Sequence, residues 1–242
     1  MRFDSLGSTN DEAARQAKLG AAEGVCVVAR QQTAGRGRRE RVWNSPKDAG
    51  LYFSVILRPK IVARKTPLIT LAAAVAVSEA IAGSCKLKTD IKWSNDVHTL
   101  EGKKLSGILA ETIDGGNAVV LGIGINLTRE AVAPELREIA SSIETETNVA
   151  PNAEELLAAL TRSLKKFYQL LHDANGDKQI VEMWTAHSSY AFGKDVSVKL
   201  ENETFFGTTD GLQTDGALRV RLESGLIKVV YAGDVLAVRS AK

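Results

Sequence analysis

One segment limits what this chain can fold into more than any other. From Leu68 to Ala82 the residues are apolar on almost every face, so a helix over this stretch has no polar side to show to water. Thr66-Pro67 supplies its start, with proline in the first turn. The uncharged part, Thr66 to Ser78, is 13 residues closed off by Glu79. A membrane-spanning helix needs roughly 20 apolar residues. The segment therefore has to be covered on all sides by other elements of a globular core. At 242 residues the chain has the length for one domain, or one with a small appendage.

The covering elements are legible in the pattern. Ser8, Thr9 and Asn10 precede Asp11-Glu12, an N-cap cluster with carboxylates at the positive end of a helix dipole, and predict a short helix to about Leu19. Gly24 to Ala29 and Leu51 to Leu57 read as buried strands. Leu105 to Thr112 and Ala118 to Ile125, joined through Asp114-Gly115-Gly116-Asn117, read as an antiparallel pair. Ala131 to Ala150 is acidic and poorly periodic, hence irregular. Pro151 and Asn152 open a helix with Leu156, Leu157, Leu160, Leu164, Phe167 and Leu171 on one stripe, and a second helix is expected over Lys178 to His187. From Gly193 the pattern becomes strict alternation in short runs punctuated by glycine, which predicts a small β-barrel. So small a unit buries little surface and should lean on its neighbour. The expected division is a first domain over residues 1–190 and a barrel over 191–242.

Composition narrows the function. Thirty-one Lys and Arg against 29 Asp and Glu leave a net charge of +2, too small for a surface built to hold nucleic acid throughout, so any basic chemistry is local. Cys26 and Cys85 form no CxxC pair, and the three histidines are scattered without metal-ligand spacing. Met1 to Asn10 has no apolar run of the kind a signal peptide needs. A cytoplasmic protein without a membrane partner is expected.

Three stretches carry chemistry. Gln31 to Trp43 alternates glycine with arginine, so backbone can approach an anion closely while guanidinium groups grip it, and Trp43 can cover a base. Lys92-Trp93-Ser94-Asn95-Asp96 is followed by Lys103 to Leu109, and Gly122-Ile123-Gly124-Ile125-Asn126 comes third. Each alone is weak: an arginine cluster is often a solvated loop or a nucleic-acid contact, and Asn-Asp is often only a turn. Their order within one domain is what makes them specific.

With Ser8-Thr9-Asn10, Gly35 to Trp43, Lys92 to Asp96, Lys104 to Ile108 and Gly122 to Asn126 in this order, the chain resembles the biotin protein ligases over nearly its whole length. Two positions depart from that pattern: Glu40 stands where the loop's third glycine is expected, and Ser94 where a proline is. The resemblance implies an α+β fold of the class II synthetase-like, biotin/lipoate ligase type, a mixed β-sheet packed with helices followed by a C-terminal SH3-like β-barrel. It implies biotin and ATP as substrates, magnesium accompanying the phosphates, and a biotin carboxyl carrier protein as acceptor. It further implies that Lys104 stands between the biotin carboxylate and the α-phosphate, with Arg36 and Arg38 closing over the adenylate. Ser8, Thr9, Asn10 and Gln32 would surround the biotin head, and Gly37, Gly107 and Gly124 would let the ligand lie close. Arg41, Trp43, Asn95 and Asn126 would hold the nucleotide, and Asp96 would orient the incoming lysine or the magnesium ion. The loop itself, polar and short of apolar anchors, is expected to be mobile until ligand arrives. Regulatory members carry a DNA-binding domain ahead of this region; with seven residues before Ser8, a monofunctional enzyme without DNA binding is expected, as monomer or homodimer. A lipoate ligase or octanoyltransferase of the same fold, and a nucleic-acid-binding module using Arg36 to Arg41, stay open as alternatives.

Overall fold

The computed structural model describes residues 1–237, so residues 238–242 of the expected barrel lie outside the described residues. In chain order the elements are β1 (Arg2–Phe3), α1 (Thr9–Lys18), β2 (Cys26–Ala29), β3 (Gly50–Leu57), α2 (Pro67–Cys85), β4 (Asp90–Lys92), β5 (Asp96–His98), β6 (Lys104–Ile113) and β7 (Ala118–Asn126). There follow α3 (Ile143–Thr147), α4 (Ala153–Leu170), α5 (Gly176–Ala186), β8 (Phe192–Lys199), β9 (Thr204–Leu212), β10 (Leu218–Arg221), β11 (Ile227–Val230) and β12 (Asp234–Ala237).

Strands β1 to β7 form one sheet in the order β1-β2-β3-β7-β6-β5-β4, parallel only between β1 and β2. The sheet is thus mixed and packed with helices, as expected. Helix α2 lies buried on one face, with Leu68, Ala74, Val75, Ala76, Val77 and Ile81 fully enclosed. By length and composition it could pass for a membrane span, and what covers it is this sheet together with α4 and α5. On the other face Ala13 and Ala17 of α1 pack against Val27, Ile56, Ala118 and Val120.

The β6–β7 pair runs in register from Ser106↔Ile125 to Ile113↔Ala118, around a turn in which Asp114, Gly115 and Gly116 all have positive φ. Ser8 does occupy the N-cap position of α1, but its side chain makes no capping bond. Residues 131–150 are mostly irregular, yet they contain α3, five residues held by the Ser142 Oγ that accepts from Thr145 N at 3.2 Å. One helical turn is too short to leave a period in the sequence.

The second sheet is antiparallel in the order β11-β10-β9-β8-β12. Its interior residues Val196, Val198, Leu218, Val220, Val230 and Val235 join the same apolar cluster as α2, so the small sheet shares the large one's core. Gly216 marks the junction: its carbonyl accepts from Trp93 Nε1 at 3.0 Å, and a Cβ there would stand 2.9 Å from Leu71.

Candidate active site

Alternation along the strands builds the floor of the site. On β7 the isoleucines 123 and 125 point into the core, which puts Gly122, Gly124 and Asn126 on the α1 face. Cross-strand pairing continues this face as Ser54–Gly122–Leu109 in one row and Tyr52–Gly124–Gly107–Asp96 in the next. The two glycines of the second row make a flat bed for the Trp43 indole: a Cβ would come within 2.5 Å of the ring at Gly124 and 3.0 Å at Gly107.

Two cavities meet at this indole. The first, about 50 Å³, is lined by Ser8, Thr9, Asn10, Gln32, Arg36, Gly107 and Gly124. The second, about 270 Å³, is lined by Arg41, Asp96, Asn126 and the apolar Val132, Leu136 and Ile139. Gly37, Arg38, Trp43, Asn95 and Lys104 line both. Every site residue expected from the sequence is therefore brought to one of two adjoining chambers, with a lysine and an arginine where they meet.

Lys104 Nζ lies 2.6 Å from Asp96 Oδ1 and 5.5 Å from the centre of the Trp43 ring. Burial works against the Asp96 charge, but His98 and Lys104 more than offset it and hold the carboxyl well below the usual carboxylate range. Asp96 is thus engaged with Lys104, whereas the resemblance implies that it orients an incoming lysine or a magnesium ion. Among the described residues no group of three His, Cys, Asp or Glu side chains is placed to hold a metal ion.

The arginine loop has polar anchors in place of apolar ones. It closes on itself through the Arg36↔Val42 bridge, with Gly37 N donating to Arg41 O at 2.7 Å and Trp43 N to Gly35 O at 2.9 Å. It is also anchored from outside. Arg36 pairs with Asp11 at 2.7 Å and Glu111 at 2.9 Å, so in this state it points at carboxylates of the protein. Arg38 donates to Asn95 Oδ1 at 2.9 Å and to Ser94 Oγ, and burial lowers its pKa. Arg39 and Arg41 share Asp234 of the small sheet at 3.1 and 2.5 Å. The anchors are polar and come from distant parts of the chain, so a search for apolar residues within the loop does not find them. Glu40 pairs with none of these arginines among the described residues; its φ of 58° lies in the left-handed region that glycine adopts without cost.

Ser45, Ser54, Glu111 and Asp234 are site residues that sequence reasoning missed, and Ser94, noted there only as standing where a proline is expected, is a partner of Arg38. Ser54 did leave a signal, a lone hydroxyl inside Leu51 to Leu57, whereas Asp234 left none. Another cavity, of about 410 Å³, lies on the opposite face between β3 and helices α2 and α4; it is apolar and holds no motif residue. Cys26 lines it, and burial raises the thiol pKa of both Cys26 and Cys85, so neither is an activated nucleophile.

Known proteins share this architecture. The chain matches the Biotin/lipoate A/B protein ligase family over residues 3–127 and the Biotin protein ligase C terminal domain over residues 191–236. A bifunctional ligase/repressor of Bacillus spizizenii is 35% identical over 237 residues, spanning 96% of this chain and 72% of that protein. A biotin–[acetyl-CoA-carboxylase] ligase of Paracoccus denitrificans is 33% identical, spanning 94% of this chain and 96% of that one. The structure of a biotin protein ligase from Aquifex aeolicus in complex with biotin and ATP superposes with a TM-score of 0.87 at 27% identity, covering 99% of this chain and 98% of that one. With these matches running through both sheets and through every motif of the site, the chain belongs to the biotin/lipoate A/B protein ligase family, and within it to the biotin protein ligases.

Proposed function

We propose that this ligase joins biotin to ATP as biotinyl-5'-AMP and passes the biotinyl group to a lysine of a biotin carboxyl carrier protein of acetyl-CoA carboxylase. The observation that carries this reading is the junction of the two chambers: a hydroxyl- and amide-lined one, a larger one with Asn126 and an apolar wall, and Lys104 with Arg38 between them. In the first step a biotin carboxylate oxygen forms a bond to the α-phosphorus, and the bond to the β-phosphate bridge breaks, releasing pyrophosphate. In the second the acceptor amine bonds to the acyl carbon, AMP leaves, and the amine proton passes to solvent. Neither step uses a covalent enzyme nucleophile, consistent with two cysteines of raised pKa.

What the protein supplies is position and charge, because two anions must meet and the phosphorus gains charge. A cation about 4 Å from that charge is worth on the order of 4 kcal/mol at an effective dielectric near 20, roughly a thousandfold in rate. Lys104 is that cation. Asp96 keeps it at the junction until substrate carboxylate and phosphate compete for it, and Arg38 neutralises the adenylate. Ser8, Thr9 and Gln32 hold the biotin head, while Trp43, Asn95 and Asn126 hold the nucleotide. Arg36 reaches the ligand by leaving Asp11 and Glu111. Magnesium belongs to the nucleotide substrate on this reading, and no step is assigned to a protein-held ion.

Incubation with biotin, ATP and a biotin carboxyl carrier domain, read by avidin blot, tests the proposal. Labelling of the carrier lysine is expected with biotin and not when lipoate replaces it. Absence of labelling, or transfer of lipoate instead, overturns the proposal.

A further inference from the structure

Behind the smaller cavity stands a second tier of polar groups that the reaction itself does not touch. Ser54, at the centre of β3, is fully buried in an otherwise apolar strand. Its Oγ lies 2.6 Å from Asn10 Oδ1 and 2.8 Å from Thr9 Oγ1. Asn10 Nδ2 lies 2.7 Å from Glu111 Oε2 and 3.3 Å from the Leu109 carbonyl.

These contacts determine where the protons are. Both partners of Asn10 Nδ2 are acceptors, so the amide nitrogen must face them and Oδ1 must face Ser54. An amide oxygen only accepts, so the single proton of Ser54 is taken up by Asn10. Ser54 then offers Thr9 lone pairs alone. Gln32 offers it no donor either, because its Nε2 donates to Ser45 Oγ at 2.9 Å while its Oε1 accepts from Thr9 N at 2.8 Å. The nearer acceptor for the Thr9 proton is Ser54 at 2.8 Å, against 3.1 Å to Gln32 Oε1, which already accepts from Thr9 N, so Ser54 takes the proton and spends it inside the wall. The Thr9 hydroxyl shows the cavity only lone pairs. The polarity starts at the Glu111 carboxylate, against which Asn10 cannot turn its oxygen.

We infer that Ser54 is a positioning residue which, through Asn10 and Glu111, fixes Thr9 as a hydrogen-bond acceptor and so selects a ligand head carrying N–H donors. The inference rests on the biotin reading of this cavity and deepens it. The ureido ring of biotin carries N–H groups, and the dithiolane ring of lipoate has none. Ser8, buried and with no capping bond, keeps a proton for the ureido oxygen. A wall polarised in advance discriminates strongly, because a head without the donor leaves buried acceptors unpaired.

Calorimetry and steady-state kinetics on the full chain test this. Ser54→Ala is expected to weaken biotin binding at least tenfold, while ATP affinity and kcat at saturating biotin stay within twofold of the parent. Combined with Thr9→Val, it should cost no more than Thr9→Val alone, since Ser54 acts through that hydroxyl. If Ser54→Ala does not fold, Ser54→Cys, similar in volume and a weaker donor, carries the same comparison. Equal losses for biotin and ATP, additive losses in the double variant, or unchanged biotin affinity would overturn the inference. A parent enzyme that fails to bind biotin overturns the proposed function instead, and this is read before any substitution is made.

Discussion

Lys104 and Asp96 form a pair that, on the proposed mechanism, must come apart, since one lysine cannot serve both the carboxylate 2.6 Å away and a developing phosphorane. On the proposed mechanism the pair holds the lysine in place until substrate anions take it over. Lys104→Ala should therefore abolish adenylate formation while biotin still binds measurably; pyrophosphate release at a rate near the parent's would contradict the assignment. A second residue bears on stability alone. Glu40 adopts a φ of 58°, which costs a non-glycine residue on the order of 1–2 kcal/mol. Its carboxylate makes no ion pair among the described residues to offset that cost. Glu40→Gly should raise stability by about 1 kcal/mol, net of the entropy glycine adds to the unfolded chain. A urea titration that finds the variant equal to or weaker than the parent would show that the loop backbone is not under this cost.

At the scale of elements, the arginine loop is a clasp. One end is held by Asp11 of α1 and Glu111 of β6, the middle by the turn between β4 and β5, and the far end by Asp234 of β12. Exposed pairs of this kind contribute about 0–1 kcal/mol each, enough to bias a loop and too little to lock it. That suits a segment lying over two adjoining cavities of about 50 and 270 Å³ that ligands have to enter. Asp234→Asn removes the shared partner of Arg39 and Arg41, so limited trypsin digestion should cut between Arg36 and Arg41 several-fold faster than in the parent. Biotin with ATP should restore protection. Unaltered cleavage without ligand would mean that the small sheet does not hold the loop.

At the scale of the whole molecule, the small sheet is part of the main core and also part of the site. It docks through Gly216, whose φ of 87° and close approach to Leu71 leave no room for a side chain, and it reaches the arginine loop through Asp234. Gly216→Val should lower the unfolding free energy by roughly 1–3 kcal/mol through overpacking and backbone strain. It should also shift the Trp93 fluorescence, because the indole N–H bonds the carbonyl of the same residue. A variant with parental stability and emission would show that the two sheets do not depend on this contact.

Periodicity and residue type alone were enough to place the buried helix, the β6–β7 pair, the amphipathic α4 and the alternating strands after Gly193, because each pattern reflects how one element meets water or core. The residues of the two chambers were gathered by the resemblance to the biotin protein ligases; residue pattern alone gave only the alternate glycines on β7, which leave one face of that strand bare. What depended on tertiary structure is the wiring between segments. Ser54 becomes the hub of the cavity wall only once β3 lies under α1. Asp234 becomes the partner of Arg41, 193 residues away, only once the small sheet has docked. Such pairings follow from where whole elements pack, and no local run of residues carries that information.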